Sequence, residues 1–173
     1  MNPRRIPRAE WKKFQATMPI VCVDVLPVRA SRSGTGPVDA VGLILRDVPR
    51  QGERWCLIGG RLLYCESLEE AVRRQIRETL GTMVRPLIPP GLQPIYIAEY
   101  SPSKRSPFAF DSRKHSVGLT YVVDLEGSPK PRGEAKRFKW FKMDSLPSRK
   151  KFGFDQDLVA EACITLLQLR ASG

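Results

Sequence analysis

At 173 residues, 42% of them hydrophobic and 27% charged, the chain is long enough for one domain with a substantial core. A net charge of +11 favours a polyanionic substrate or partner, such as a nucleotide or a nucleic acid. No apolar run approaches the roughly 18 residues of a membrane span. The basic N-terminus has no apolar stretch behind it, so neither a membrane segment nor a secretory leader is expected. Four cysteines without a CxxC pair, and a single His115, argue against a zinc site and a disulfide framework. A reducing cytoplasm is the expected compartment.

Residues 1–7 read as a flexible basic arm. Residues 8–17 have helical character, with Trp11 and Phe14 three apart, and Pro19 ends that helix. Residues 20–28 are rich in β-branched side chains and predict a strand. Residues 30–37 (ASRSGTGP) form a loop, 38–48 a second strand and 49–53 a turn. A short strand over 55–58 runs straight into Gly59-Gly60. The strongest helix signal follows. Ser67 is a good N-cap, Glu70 completes a capping box, and Leu68, Ala71, Val72, Ile76 and Leu80 make one apolar face that Gly81 stops. Residues 85–92 are expected as a proline-rich loop and 93–100 as a strand. Residues 101–116 read as a basic insertion loop carrying Lys104, Arg105, Arg113, Lys114 and His115. A strand over 117–125, a Gly/Pro loop over 126–135, a short strand over 137–141 and a helix capped by Asp155 complete the chain. This order predicts an α+β fold, a mixed sheet sandwiched between helices (α/β/α), in a single domain over 1–173.

The chemistry concentrates in residues 59–81. Two glycines after a strand let the backbone approach a ligand or a metal closely. Glu66 precedes a helix that carries Glu70, Arg74 and Glu78 at steps of four, along one polar stripe. A carboxylate on that stripe, facing a glycine turn, suits a hard cation such as Mg²⁺, which takes one or two carboxylates and fills its other positions with water and substrate phosphates. The same pattern also describes a solvated, salt-bridged helix face.

The stretch resembles a Nudix box, with Gly60, Glu66, Arg74, Ile76, Glu78 and Gly81 at the matching places. Gln75 and Thr79 stand where that box carries two further glutamates. The reduced pattern is similar to that of GDP-mannose mannosyl hydrolases, which release GDP and a sugar by attack on the sugar carbon. That resemblance implies a Nudix fold and a metal-dependent hydrolase of a nucleoside diphosphate derivative, such as a nucleotide sugar, using Mg²⁺ or Mn²⁺. It implies Gly59 (through its carbonyl), Glu78 and Glu134 as metal ligands, with Glu78, Arg61 and Asp24 as catalytic residues. Gly60, Glu66, Arg74 and Gly81 become the structural brace of the loop. Arg61 would touch the diphosphate, Arg46 and Arg50 could help it, and Trp140 is either core or a wall for the nucleobase. In that family a His base follows the Gln ligand; here the two positions are Glu134 and Ala135. His115, Asp111 and Glu99 are then the candidate bases. The resemblance also suggests a homodimer. The alternative is a catalytically silent Nudix module that binds a nucleotide or RNA as a sensor. RNA is the less favoured partner, since no aromatic residues interleave with the basic ones of the arm and insertion.

Overall fold

Strand β1 (Ile20–Ala30) holds the centre of the fold because its sequence is apolar on both faces; every residue from 22 to 28 is buried. The computed structural model describes residues 6–30, 38–103 and 109–171. Residues 31–37 of the loop expected over 30–37, most of the N-terminal arm and Lys104 and Arg105 of the insertion lie outside them, while Ala30 ends β1. Around β1, helix α1 (Arg8–Thr17) comes first, and β2 (Val38–Val48), β3 (Gly52–Cys56) and β4 (Ile58–Arg61) follow. Then come α2 (Leu68–Leu80), β5 (Val84–Leu87), β6 (Tyr96–Ser101), β7 (Ala109–Phe110), β8 (Ser116–Gly127) and β9 (Arg137–Lys142). A 3₁₀ turn at Arg149–Lys151 leads to α3 (Gln156–Ala171).

The strands form one curled mixed sheet. β1 runs parallel to β8 along residues 20–28 and antiparallel to β4 along 22–25, and it meets β2 only at its far end, Val28 opposite Val41. Beyond that point β2 pairs with β3 on one edge and β9 on the other. The chain from β3 to β4 thus crosses from β2 to β1 where those two strands separate, and the sheet opens there. β6 and β5 share the outer edge of β8.

Gly59 and Gly60 belong to β4 rather than to a loop, paired with Asp24 and Val23. Neighbouring residues of a strand face opposite sides of a sheet, and these two show what each side holds. A Cβ on Gly60 would meet the Gln75 side chain of α2 at 2.6 Å, whereas one on Gly59 would meet the Asp24 carboxylate at 2.1 Å. α2 packs on the first side, burying Ala71, Val72, Gln75, Ile76, Thr79 and Leu80. On the second, Gln156 at the start of α3 lines the same cavity as Asp24. The result is a sheet between helices, as the element order predicts. Residues 84–87 form a strand where a loop was expected. Pro86 is tolerated because β5 pairs through one edge only, with residues 124–127 of β8. No helix among the described residues is long and apolar enough to cross a membrane.

Candidate functional site

The turn from β4 to α2 is locked from both ends. Ser67 accepts the Glu70 amide while the Glu70 carboxylate accepts the Ser67 amide, so the capping box is complete. Glu66, almost fully buried, receives Arg74 Nε at 2.5 Å, Arg74 Nη2 at 2.8 Å and the Leu63 amide at 3.0 Å. Arg74 Nη2 also donates to the Arg61 carbonyl at 3.0 Å. One guanidinium therefore ties helix, turn and strand together, and its hydrogen bonds to Glu66 hold its pKa above the usual arginine range. Gly81, at φ 92°, ends α2 with its amide on the Arg77 carbonyl.

The strand register also aims the Gly59 carbonyl. The Leu62 amide bonds to the Val21 carbonyl, so in this antiparallel pair residues 58, 60 and 62 turn their polar backbone groups toward β1. Arg61 turns its carbonyl the other way, to Arg74. Gly59, two residues earlier, shares that direction and points its carbonyl away from β1, into the gap that Glu78 and Glu134 also line. Both carboxylates are about 43% exposed and both lie next to an arginine: Glu78 is 3.4 Å from Arg74 Nη1, and Glu134 pairs with Arg46. Among the described residues, no cluster of three or more His, Cys, Asp or Glu could hold a metal on its own. Two carboxylates and a carbonyl do fit a Mg²⁺-like ion, which leaves its remaining positions to water and phosphate oxygens.

Two spaces adjoin the glycines. An outer cleft of about 450 Å³ is lined by Arg46, Gly59, Gly60, Arg61, Arg113, Lys114 and Glu134, and by Arg8, Trp11 and Gln15 from α1. Behind Gly59 lies an inner cavity of about 60 Å³ that shares Arg46, both glycines, Arg113 and Lys114 with the cleft and adds Asp24, Cys22 and Tyr100. Burial raises the Asp24 carboxyl to about 6, against the attraction of Lys114 and a hydrogen bond from the Tyr100 hydroxyl at 3.5 Å. Lys114 Nζ reaches Cys22 Sγ at 2.9 Å. Desolvation keeps the Cys22 thiol above its ordinary range, with Lys114 pulling the other way.

The structure thus brings Asp24, Arg46, Gly59, Gly60, Arg61, Glu78 and Glu134 to one place. It does not bring Arg50 or Trp140 there. Arg50 sits in the β2–β3 turn at φ 64°, four residues along the chain from Arg46, or roughly 13 Å of extended strand. Trp140 packs edge-on against Phe138 on β9, under the Arg29 guanidinium at 4.9 Å, and lines neither space. Of the candidate bases, Asp111 is buried and chelated by Arg113 at 2.8 Å through both nitrogens. His115 is exposed on another rim, Glu99 is exposed on β6, and Ala135 is buried and carries no base. Sequence reasoning missed Trp11. It lies under Arg61, ring centroid to guanidinium 4.0 Å, across 50 residues of chain. The only local hint was its place on one helical stripe with Arg8 and Gln15.

The chain and its fold have counterparts in known proteins. The chain is 29% identical over 147 residues to the NAD-capped RNA hydrolase NudC of Deinococcus radiodurans; the match covers 83% of this chain and spans 44% of that protein's length. A solved protein of Jonesia denitrificans DSM 20603, described among "posible asymmetric diadenosine tetraphosphate (Ap(4)A) hydrolases", superimposes with a TM-score of 0.79 at 30% identity, over 88% of this chain and 96% of that one. The MutT NUDIX hydrolase of Burkholderia pseudomallei shares the fold, with a TM-score of 0.64 at 21% identity, over 84% and 98%. Fold and relatives define a protein of the Nudix fold class. Within that class the chain belongs to the family described as "Domain of unknown function (DUF4916)", whose model matches residues 2–163.

Proposed function

We propose that this chain hydrolyses a nucleoside diphosphate derivative in the cleft beside Gly59 and Gly60, with the help of Mg²⁺ or Mn²⁺. The observation that carries this reading is the convergence of Glu78, Glu134 and the Gly59 carbonyl on one gap, beside a cleft walled by Arg46 and Arg61. Glu78, Glu134 and the Gly59 carbonyl would hold the cation, whose positive charge would neutralise diphosphate oxygens and the leaving group. Arg61 and Arg46 bind the same oxygens by charge-assisted hydrogen bonds and fix the diphosphate against the strand edge. The brace of Glu66 and Arg74 keeps that edge rigid. Asp24, raised to about 6 and placed behind Gly59, is half ionised near that pH and is suited to take a proton from the attacking water.

The relatives' names, an NAD-capped RNA hydrolase and possible diadenosine tetraphosphate hydrolases, support testing NAD and dinucleoside polyphosphates beside nucleotide sugars. All carry a nucleoside joined through at least two phosphates to a second group. The test is a panel of nucleotide sugars, NAD, dinucleoside polyphosphates and nucleoside triphosphates with Mg²⁺ or Mn²⁺, in ¹⁸O water. The position of the label tells attack at phosphorus from attack at the sugar carbon. Glu78→Gln is expected to lower turnover by about a hundredfold or more without unfolding the chain. Turnover that survives this change removes Glu78 from the site.

One observation favours a second reading. Of the α2 side chains that line the gap, Arg74, Gln75, Glu78 and Thr79, only Glu78 is a carboxylate. A silent module that binds a nucleotide or RNA would look the same. It would retain salt-dependent binding while turning over nothing in the panel.

A further inference from the structure

The cleft has two walls of different chemistry. The sheet wall carries the glycines and arginines that suit a diphosphate. The other wall is α1, which sends Arg8, Trp11 and Gln15 into the cleft from one stripe at steps of three and four. These are a cation, an aromatic face and a side-chain amide. A diphosphate can use the cation and the amide N–H, but has no use for the aromatic face. An aromatic face beside an amide that can both donate and accept is what a nucleobase needs, one for its ring and one for its edge.

We propose that Trp11 is the stacking platform for the nucleobase of the substrate, with Gln15 beside it to meet the base edge. This rests on the diphosphate lying over Gly59 and Gly60 as argued above. The other two tryptophans are engaged elsewhere: Trp55 packs edge-on against Phe141 at 4.9 Å, and Trp140 against Phe138 at 5.1 Å. Trp11 alone of the three lines the cleft, half-buried, with the Arg61 guanidinium on its ring. A guanidinium stacked on an indole is replaceable by a flat base. α1 buries none of its residues, so the wall can adjust to the ring it receives. A cleft of about 450 Å³ has room for a base and its ribose.

The test measures binding rather than turnover, by calorimetry with ADP, GDP and inorganic pyrophosphate in the presence of Mg²⁺. Trp11→Ala is expected to weaken ADP and GDP by about 5- to 100-fold and to leave pyrophosphate unchanged, while Trp11→Phe keeps most of the nucleotide affinity. Equal loss for pyrophosphate and the nucleotides means that Trp11 only positions Arg61, and it overturns the proposal. Unchanged nucleotide affinity in Trp11→Ala overturns it too. Wild-type protein that binds neither nucleotide nor pyrophosphate overturns the diphosphate reading itself, and the proposal with it. Gln15→Ala, exchanging the preference between ADP and GDP without changing pyrophosphate, is the further expected result.

Discussion

The helix beside the cation gap, α2, and the helix that walls the cleft, α1, are built on opposite plans. α2 has a capping box, an N-terminal turn braced by a buried ion pair, and six buried residues. α1 has no side-chain cap and no buried residue, and its contact with the cleft includes a cation–π stack between Trp11 and Arg61. The contrast matches the tasks proposed for each wall. A cation and a diphosphate demand fixed donors, because misplacement by about 1 Å is costly in rate. A base that stacks demands only a flat partner, and that partner can sit on a loosely held helix.

The sharpest way to break the comparison is to remove the brace. Glu66 is 2% exposed and Arg74 11% exposed at the side chain, so Glu66→Ala strands a buried guanidinium. The expected cost is about 3–5 kcal/mol of stability, read from urea melts, out of the roughly 5–15 kcal/mol a domain possesses. A cost below about 1 kcal/mol would mean that the pair is incidental and that α2 owes its rigidity to its apolar face alone.

A smaller effect comes from the floor of the cleft. Asp24 titrates near 6 in the folded protein and near 3.8 when unfolded, because burial disfavours its charge. The folded state therefore binds more protons between about pH 4 and pH 6, and stability falls as pH rises through that window. Asp24→Asn is expected to flatten this slope and to raise stability at pH 7 by about 3 kcal/mol, while turnover falls. Thermal melts from pH 4 to pH 7 on both proteins check the sign. A wild-type stability that increases over the window would show that Asp24 is held charged by Lys114, not neutral by burial.

How much of this was legible follows from how local each signal is. The brace, the capping box and the stop at Gly81 are written within residues 59–81, where helical periodicity brings partners together, so spacing alone reveals them. Asp24 also had a local mark: a single charge inside the run IVCVDVLPV, apolar on both faces, can only be buried. The pairing of Arg46 with Glu134 and the stack of Trp11 on Arg61 join residues 88 and 50 apart, and no period in the chain carries them. The sequence leaves Trp140 open between core and base wall, because an aromatic on a strand suits either. The register turned it elsewhere: β9 pairs Trp140 with Gly42 on β2, and Phe138 and Arg29 close over it. β5 was hidden by Pro86, which in an interior strand would be excluded but on an edge is not.

The smallest expected effect is the one that separates the walls most cleanly. Trp11→Ala removes a large aromatic side chain, a change that in a core would cost about 3–5 kcal/mol. Here the ring is half-buried on a helix without core contacts, and the interaction lost is a cation–π stack worth roughly 0.5–1 kcal/mol at an exposed site. The expected change in stability is therefore below about 1 kcal/mol, measured in the same urea melts as Glu66→Ala. A loss of several kcal/mol would make α1 a structural wall like α2, and the division between a rigid phosphate side and a compliant base side would no longer describe the cleft.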